Sequence, residues 1–386
     1  MLRNEYLKQL TRIVSKQMPH LSIPEVVGLA TWSFGMVMTK SSSLSKVSQF
    51  IAVVNGEKTS TVRQRLRGWY EEAESKKGVH RRSLDVSSCF APLLNWVLGL
   101  LPKRLAQIAL ALDATSVGNK FVVLSLNILL AGSGIPVAWS IVRANQPGSW
   151  KGHWQKLINS LQNVIPSGFE VIVTADRGLY ADWLYQLIFG AGWHPFLRIN
   201  HQGTYHTPSE NTWQPLADVV SAPGQSWSGR IVGFKTNPLR CTLLARWDIG
   251  YKDSWLILTD FEPSKASALW YGLRPSTECV YRDVKSDGWC WHNTRLLNPQ
   301  RAARLWLALA VATLWMVIKG GEAENQSFSP GFELPLNLNP PRHLSCFLLG
   351  LLTLLADLLN HLPIHLPRWS SFPSTPVDYF FCFNSS

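Results

Sequence analysis

The chain has 386 residues, 46% of them hydrophobic and 16% charged, with a formal net charge of +12. That composition supplies a large buried core and two or three domains, and it excludes a disordered chain or a small module stapled by disulfides. Residues 1–112 carry 16 Lys and Arg against 7 Asp and Glu, so +9 of the surplus precedes residue 113, which favours a polyanionic partner, nucleic acid or an anionic membrane surface.

The first segment, Met1 to Leu21, bears Arg3, Glu5, Lys8, Arg12 and Lys16 with no central apolar run, so no signal peptide is expected. Residues 1–105 read as a small helical domain: apolar residues fall at helical spacing in Leu7 to Val14 and Val26 to Met38, without strand-like alternation. Ser60 and Thr61 offer a hydroxyl N-cap to a short helix over Val62 to Tyr70 that carries Arg63, Arg65 and Arg67. Such a helix fits a major groove, its arginines meeting phosphates or guanine edges. The alternative is a solvated basic face, because alternating arginines cannot share one side of a helix.

From residue 106 the pattern changes. Ile108 to Leu112, Phe121 to Leu130 and Ile135 to Val142 are apolar runs bounded by Gly, Asn, Ser and Pro, which predicts three consecutive, mostly antiparallel strands. An amphipathic helix near His153 to Val164, a strand over Phe169 to Thr174, a helix through Trp183 to Ile188 and a strand over Pro195 to Ile199 follow. That order is expected of an α/β ribonuclease H-like catalytic core, here residues 106–319, although fold-level analogy alone says little about chemistry. About residues 200–260, rich in Gly, Pro, Ser and Trp, read as an all-β insertion with strands at Ser228 to Phe234, Arg240 to Arg246 and Trp255 to Leu258.

Helical signal returns over Lys265 to Lys285 and Pro299 to Lys319. Residues 320–386 read as a Pro-, Asn- and Ser-rich loop, Gly320 to Pro341, then a leucine-rich helix, Leu344 to Leu359, suited either to dimerisation or to core packing. The longest apolar stretches, Leu305 to Ile318 and Leu344 to Leu359, are short for a bilayer and the second contains Asp357, so no membrane span is expected. Six scattered cysteines without C-x-x-C or zinc-finger spacing read as reduced thiols of a cytoplasmic protein.

Asp113 closes the apolar run Leu110 to Leu112, and Asp176 closes Val171 to Ala175 just before a helix. Either alone is most simply a cap or a turn residue. On neighbouring strands of one sheet, however, the pair would share divalent cations, and phosphodiester chemistry uses two hard cations roughly 3.5–4 Å apart. Oxygen ligands suit Mg²⁺. Two aspartates brought together without a cation would resist joint ionisation.

Tyr271, Arg274, Glu278 and Lys285 stand at offsets 0, 3, 7 and 14, one face of a continuous helix. Arg, Glu and Lys make a poor core stripe, and a solvated face leaves Tyr271 unexplained. As a DNA-facing surface the set is coherent, with Glu278 on metal and Arg274 and Lys285 on phosphates.

The pattern Tyr-x2-Arg-x3-Glu-x6-Lys resembles the signature of IS4-type DDE transposases, matched at all four positions. The likeness covers the order of elements over about Ala106 to Ile318. It implies that Asp113, Asp176 and Glu278 form a catalytic triad holding two Mg²⁺ ions, with Mn²⁺ as a substitute. It further implies cleavage at transposon ends by water, strand transfer by the freed 3′-hydroxyl, in some members through a hairpin, and pairing of two ends by a homodimer. Trp255 looks like the tryptophan that stacks on a flipped base in relatives, with ordinary packing as its alternative. Pro275 departs from the family's continuous helix and predicts that the helix starts or kinks there. His153 and His292 are weaker candidates, more simply structural, and Arg177 and Arg198 either touch phosphate or pair with nearby acids. The absence of a P-loop and of a nucleophile elbow argues against an ATPase and an α/β-hydrolase. The rival readings are a transposase-derived DNA-binding protein that no longer cuts, a structure-specific nuclease on the same fold, and a membrane-surface protein.

Overall fold

The computed structural model describes residues 4–76, 81–103, 106–130, 133–327 and 344–368. Five helices come first: α1 (Glu5–Gln17), α2 (Ile23–Thr39), α3 (Leu44–Asn55), α4 (Thr59–Tyr70) and α5 (Phe90–Leu100). Their limits follow from local chemistry. Asn4 accepts the Leu7 N–H, Ser22 and Glu25 form a capping box, and Ser43 caps α3, whose end is closed by Gly56 in the left-handed region. Helix α4 differs from expectation, because its N-cap is Lys58 and Ser60 and Thr61 lie inside the first turn.

A single mixed sheet of ten strands follows, in spatial order β3-β2-β1-β4-β5-β10-β9-β8-β6-β7. Strands β1 (Gln107–Val117), β2 (Phe121–Leu130) and β3 (Ser133–Arg143) form an antiparallel meander. Helix α6 (Lys151–Gln162) leads to β4 (Glu170–Ala175), parallel to β1, and helix α7 (Asp182–Gly190) leads to β5 (His194–Arg198), parallel to β4. The stretch expected as an all-β insertion carries strands that widen this sheet: β6 (Thr204–His206), β7 (Gln214–Pro215), β8 (Ser226–Gly233) and β9 (Leu239–Arg246) end in β10 (Trp255–Thr259), which pairs with β5. The architecture is thus α/β, a large mixed sheet with helices at both ends of the chain.

Side chains alternate across this sheet. One face sends Val171, Val173, Leu197, Leu256 and Leu258 into the main core. The other sends Ile172, Phe196 and Ile257 against Trp270 and Tyr271, and Ala109 and Ala111 against Leu273.

The segment after the sheet is not one helix. It runs as a 3₁₀ stretch, Ala268–Leu273, then helix α8 (Ser276–Arg282) with Pro275 at its N-cap, then a π turn, Asp283–Asp287. Proline has no N–H to donate and fits the start of a helix.

Helix α9 (Pro299–Ser327) is longer than the pattern suggested, and Gly320 to Ser327, expected in a loop, is helical. The boundary drawn after residue 319 therefore falls inside α9, and residues 328–343, the rest of that expected loop, lie outside the described residues. The stretch Pro299–Glu324 is long and apolar enough to cross a membrane, against the expectation from sequence, yet 94% of its most apolar window is buried inside the protein. It packs on β3, α2, α4 and helix α10 (Cys346–Leu359). Ser33 Oγ donates to the Ala308 carbonyl at 3.0 Å, and the buried Arg304 donates to the Tyr70 and Leu84 carbonyls at 2.9 and 3.1 Å. The amino-terminal helices and the sheet consequently share one core.

Candidate active site

Strand β1 continues to Val117, so Asp113 is inside the strand and not at its end. Beyond Leu112, however, β1 has only β2 beside it, because the last residue of β4, Ala175, pairs with Leu112. Asp113 and Asp176 are therefore next in register at the point where the parallel pair opens. Period-two alternation aligns Asp113 with Ala109 and Ala111, and Asp176 with Ile172 and Thr174. Both carboxylates thus belong to the face that the 268–285 segment covers.

Arg274 links them. Its Nη2 donates to Asp113 Oδ2 at 3.1 Å and lies 3.6 Å from Asp176 Oδ2, while Nη1 donates to Glu278 Oε1 at 3.0 Å. The guanidinium side chain is 12% exposed and that of Glu278 is 70% exposed. Burial pushes the Asp113 carboxyl above its usual range; Arg274 and the Ala114 N–H oppose this, and Asp176 and Glu278 add to it. Burial works against the charge on Arg274, but Asp113, Tyr271, Asp176 and Glu278 hold its pKa above the ordinary value.

The rest of the expected helical face is placed differently from a DNA-facing stripe. Tyr271 is 3% exposed, and its hydroxyl donates to the Ala175 carbonyl at 3.4 Å, next to Asp176. It is part of the floor of the site, with its phenol pKa raised by burial first and by Asp176 second. Trp255, at the start of β10, meets the Tyr271 ring edge-on at 5.3 Å and the exposed Tyr251 at 6.3 Å. Lys285 donates from Nζ to Thr115 Oγ1, two residues along β1 from Asp113, and lies over the Tyr281 ring at 5.7 Å. Thr115 was not singled out by sequence, since nothing local marks it.

Asp and Glu oxygens are the right donors for a hard divalent cation. Among the described residues, however, no three His, Cys, Asp or Glu side chains converge closely enough to hold one. The space between the three carboxylates is occupied by Arg274.

Comparison with known proteins finds no matching family model and no matching curated relative. Among solved structures, the piggyBac transposase in its synaptic complex with hairpin DNA aligns over 97% of this chain and 86% of that one, at 10% identity and a TM-score of 0.35. A likeness that shallow decides nothing.

Three of the weaker candidates, His153, His292 and Arg177, have structural partners. His153 Nδ1 shares a hydrogen bond with Ser140 Oγ at 2.7 Å, and burial lowers its pKa. His292 bonds the Lys285 carbonyl and so braces the π turn. Arg177 pairs with Asp253 at 3.7 Å, tying the β9–β10 loop to the turn after Asp176. The Arg198 Nε is buried without a hydrogen-bond partner.

Arg63, Arg65 and Arg67 are exposed, each held by a neighbour: Arg63 by Ser45, Arg65 by Glu57 and Arg67 by Glu71. Two clefts flank residues 293–297. One of about 920 Å³ is lined by Lys120 and Arg143, and one of about 650 Å³ by Lys46, Arg63, Arg67 and Arg295. Residues so far apart in the chain left no sequence signal for either.

Proposed function

We propose that the chain is a metal-dependent DNA transposase of the IS4 type on a ribonuclease H-like core, cleaving at the ends of its element and joining the freed 3′-hydroxyl to target DNA. One observation carries this: Asp113 and Asp176, next in register on parallel neighbours, meet the arginine of the Tyr-x2-Arg-x3-Glu-x6-Lys signature and through it the glutamate. The order β3-β2-β1-β4-β5, with β2 antiparallel to its neighbours, supports the fold assignment.

In this reading Asp113, Asp176 and Glu278 would hold Mg²⁺, or Mn²⁺ in its place, as two ions, and the metal would supply positive charge to the phosphodiester under attack. Arg274, two-pronged and always charged, is the residue to grip a phosphate bidentately. Lys285, aligned along β1 by Thr115, supplies a point charge for the adjacent phosphate. The buried floor of Tyr271 and Leu273 keeps water from the rear of the carboxylates. Trp255 offers a partly exposed ring for a base displaced from its stack. The α4 arginines and the two basic clefts follow the DNA backbone outward. A second copy would bring the other end, and the setting is the cytoplasm, on the nucleoid.

A DNA-binding descendant that no longer cuts is the second reading, favoured by the guanidinium that fills the cation space. Purified protein with a duplex carrying its element's ends and Mg²⁺ separates the two. Nicked and joined products with wild type, absent with Asp113→Ala, Asp176→Ala and Glu278→Ala, support the transposase. Binding without cutting under Mg²⁺ or Mn²⁺ supports the descendant.

A further inference from the structure

Arg274 stands where a cation between three carboxylates would stand, and its pose has two features of a holding state. All three acidic partners meet a single guanidinium, at 3.1, 3.6 and 3.0 Å. The Nε of the same group is buried with no hydrogen-bond partner, and an unsatisfied buried donor disfavours the pose. The backbone beneath it is fixed: the Arg274 N–H donates to the Tyr271 carbonyl at 2.9 Å, and Tyr271 is anchored to β4 through Ala175. Only the side chain needs to move to vacate the site.

A guanidinium and a divalent cation cannot share that space. Without either, like charges would suppress joint ionisation of the acids. A phosphate diester is the ligand that can draw the guanidinium out, because it accepts two parallel N–H bonds. Glu278, exposed on the short helix α8 and tied inward only by its bond to Nη1 among the hydrogen bonds and ion pairs described for it, would be released to turn toward the aspartates at the same moment.

We propose that Arg274 is a resident counter-ion of the three carboxylates and that a DNA phosphate, by taking it up, opens them to divalent metal. DNA and metal then bind with positive coupling, and linkage makes the effect reciprocal. This rests on reading the carboxylates as metal ligands, and it adds an order of events that the reading alone does not contain.

The test is Mn²⁺ binding to the full chain, followed by loss of the free-ion paramagnetic resonance signal, with and without a short duplex of mixed sequence, after subtraction of the Mn²⁺ bound by the duplex alone. Wild type is expected to bind Mn²⁺ at least about tenfold more tightly with duplex, a coupling of ~1.4 kcal/mol. Arg274→Gln without duplex should bind Mn²⁺ as tightly as wild type does with it, and duplex should add nothing. Asp113→Asn should abolish tight binding in both conditions. Equal wild-type affinity with and without duplex overturns the proposal while leaving the metal site intact, as does coupling undiminished in Arg274→Gln. If no form binds Mn²⁺ under any condition, the metal-dependent reading falls and the proposal with it. Arg274→Lys, whose single ammonium cannot span three carboxylates, gives the same decision through reduced coupling should the glutamine variant not fold.

Discussion

Trp255 shows how a single side chain can carry two explanations that one measurement separates. Its edge-on contact with Tyr271 at 5.3 Å belongs to a class worth about 0.5–1.5 kcal/mol beyond area burial. Trp255→Ala is therefore expected to lower unfolding stability by about 2 kcal/mol in urea titrations. A residue used only for stacking on DNA would leave stability unchanged. Tyr271 illustrates a complementary lesson: its place in the four-residue pattern was legible, but its orientation was not. The 3₁₀ stretch ahead of Pro275 turns the phenol under the sheet edge and leaves the arginine, not the tyrosine, beside the carboxylates.

At the scale of elements, the π turn after α8 carries a buried acid. Asp283 is 2% exposed with one carboxylate oxygen unpartnered, and burial raises its pKa from 3.8 to about 7, Arg282 opposing and Asp287 adding. The sign follows from linkage: the folded state holds the proton more tightly, so the contribution of this group to stability is greatest in acid and falls as pH rises between those two values. Asp283→Asn removes that fall. Its stability advantage over wild type, measured by denaturant unfolding, should grow from near zero at pH 4 to a few kcal/mol above pH 7, at ~1.4 kcal/mol per unit. A constant difference across the range would contradict the assignment.

Helices α9 and α10 meet backbone to backbone. A Cβ at Gly350 would lie 1.8 Å from the Met316 carbonyl oxygen, and one at Gly320 would lie 1.7 Å from that of Cys346. Gly350→Ala must push the helices apart and is expected to lower stability by about 2 kcal/mol or more, read as a drop in thermal midpoint. The same contact explains why residues from Gly320 on read as a loop in the sequence and are helical in the fold, since two glycines in sequence look like a break and only the partner helix shows their use. Helix α10 likewise buries Phe347, Leu351 and Leu354 within the chain, which favours core packing over dimerisation for that face.

For the molecule as a whole, the local patterns that needed no partner were legible. Strand β2 has the bounds that its apolar run and flanking turn residues dictate, and both aspartates were found because apolar runs lead straight into them. What sequence could not give was the pairing of distant strands. Strand β1 extends past Asp113 because β2 continues beside it to Val117, and the expected insertion joins the main sheet through the β5–β10 pairing. The site was legible as residue types in order, and its present state was not, because it depends on where one arginine side chain points.

The carboxylate whose membership the fold fixes least is Glu278, exposed at 70% and tied to the aspartates through Arg274. The decisive measurement is the rate of cleavage at the element's own ends, with Mg²⁺, for wild type and Glu278→Gln at matched duplex occupancy. The account predicts a loss of at least about a hundredfold, ~2.7 kcal/mol of transition-state stabilisation, with duplex binding retained. A Glu278→Gln protein that cuts at the wild-type rate would contradict it.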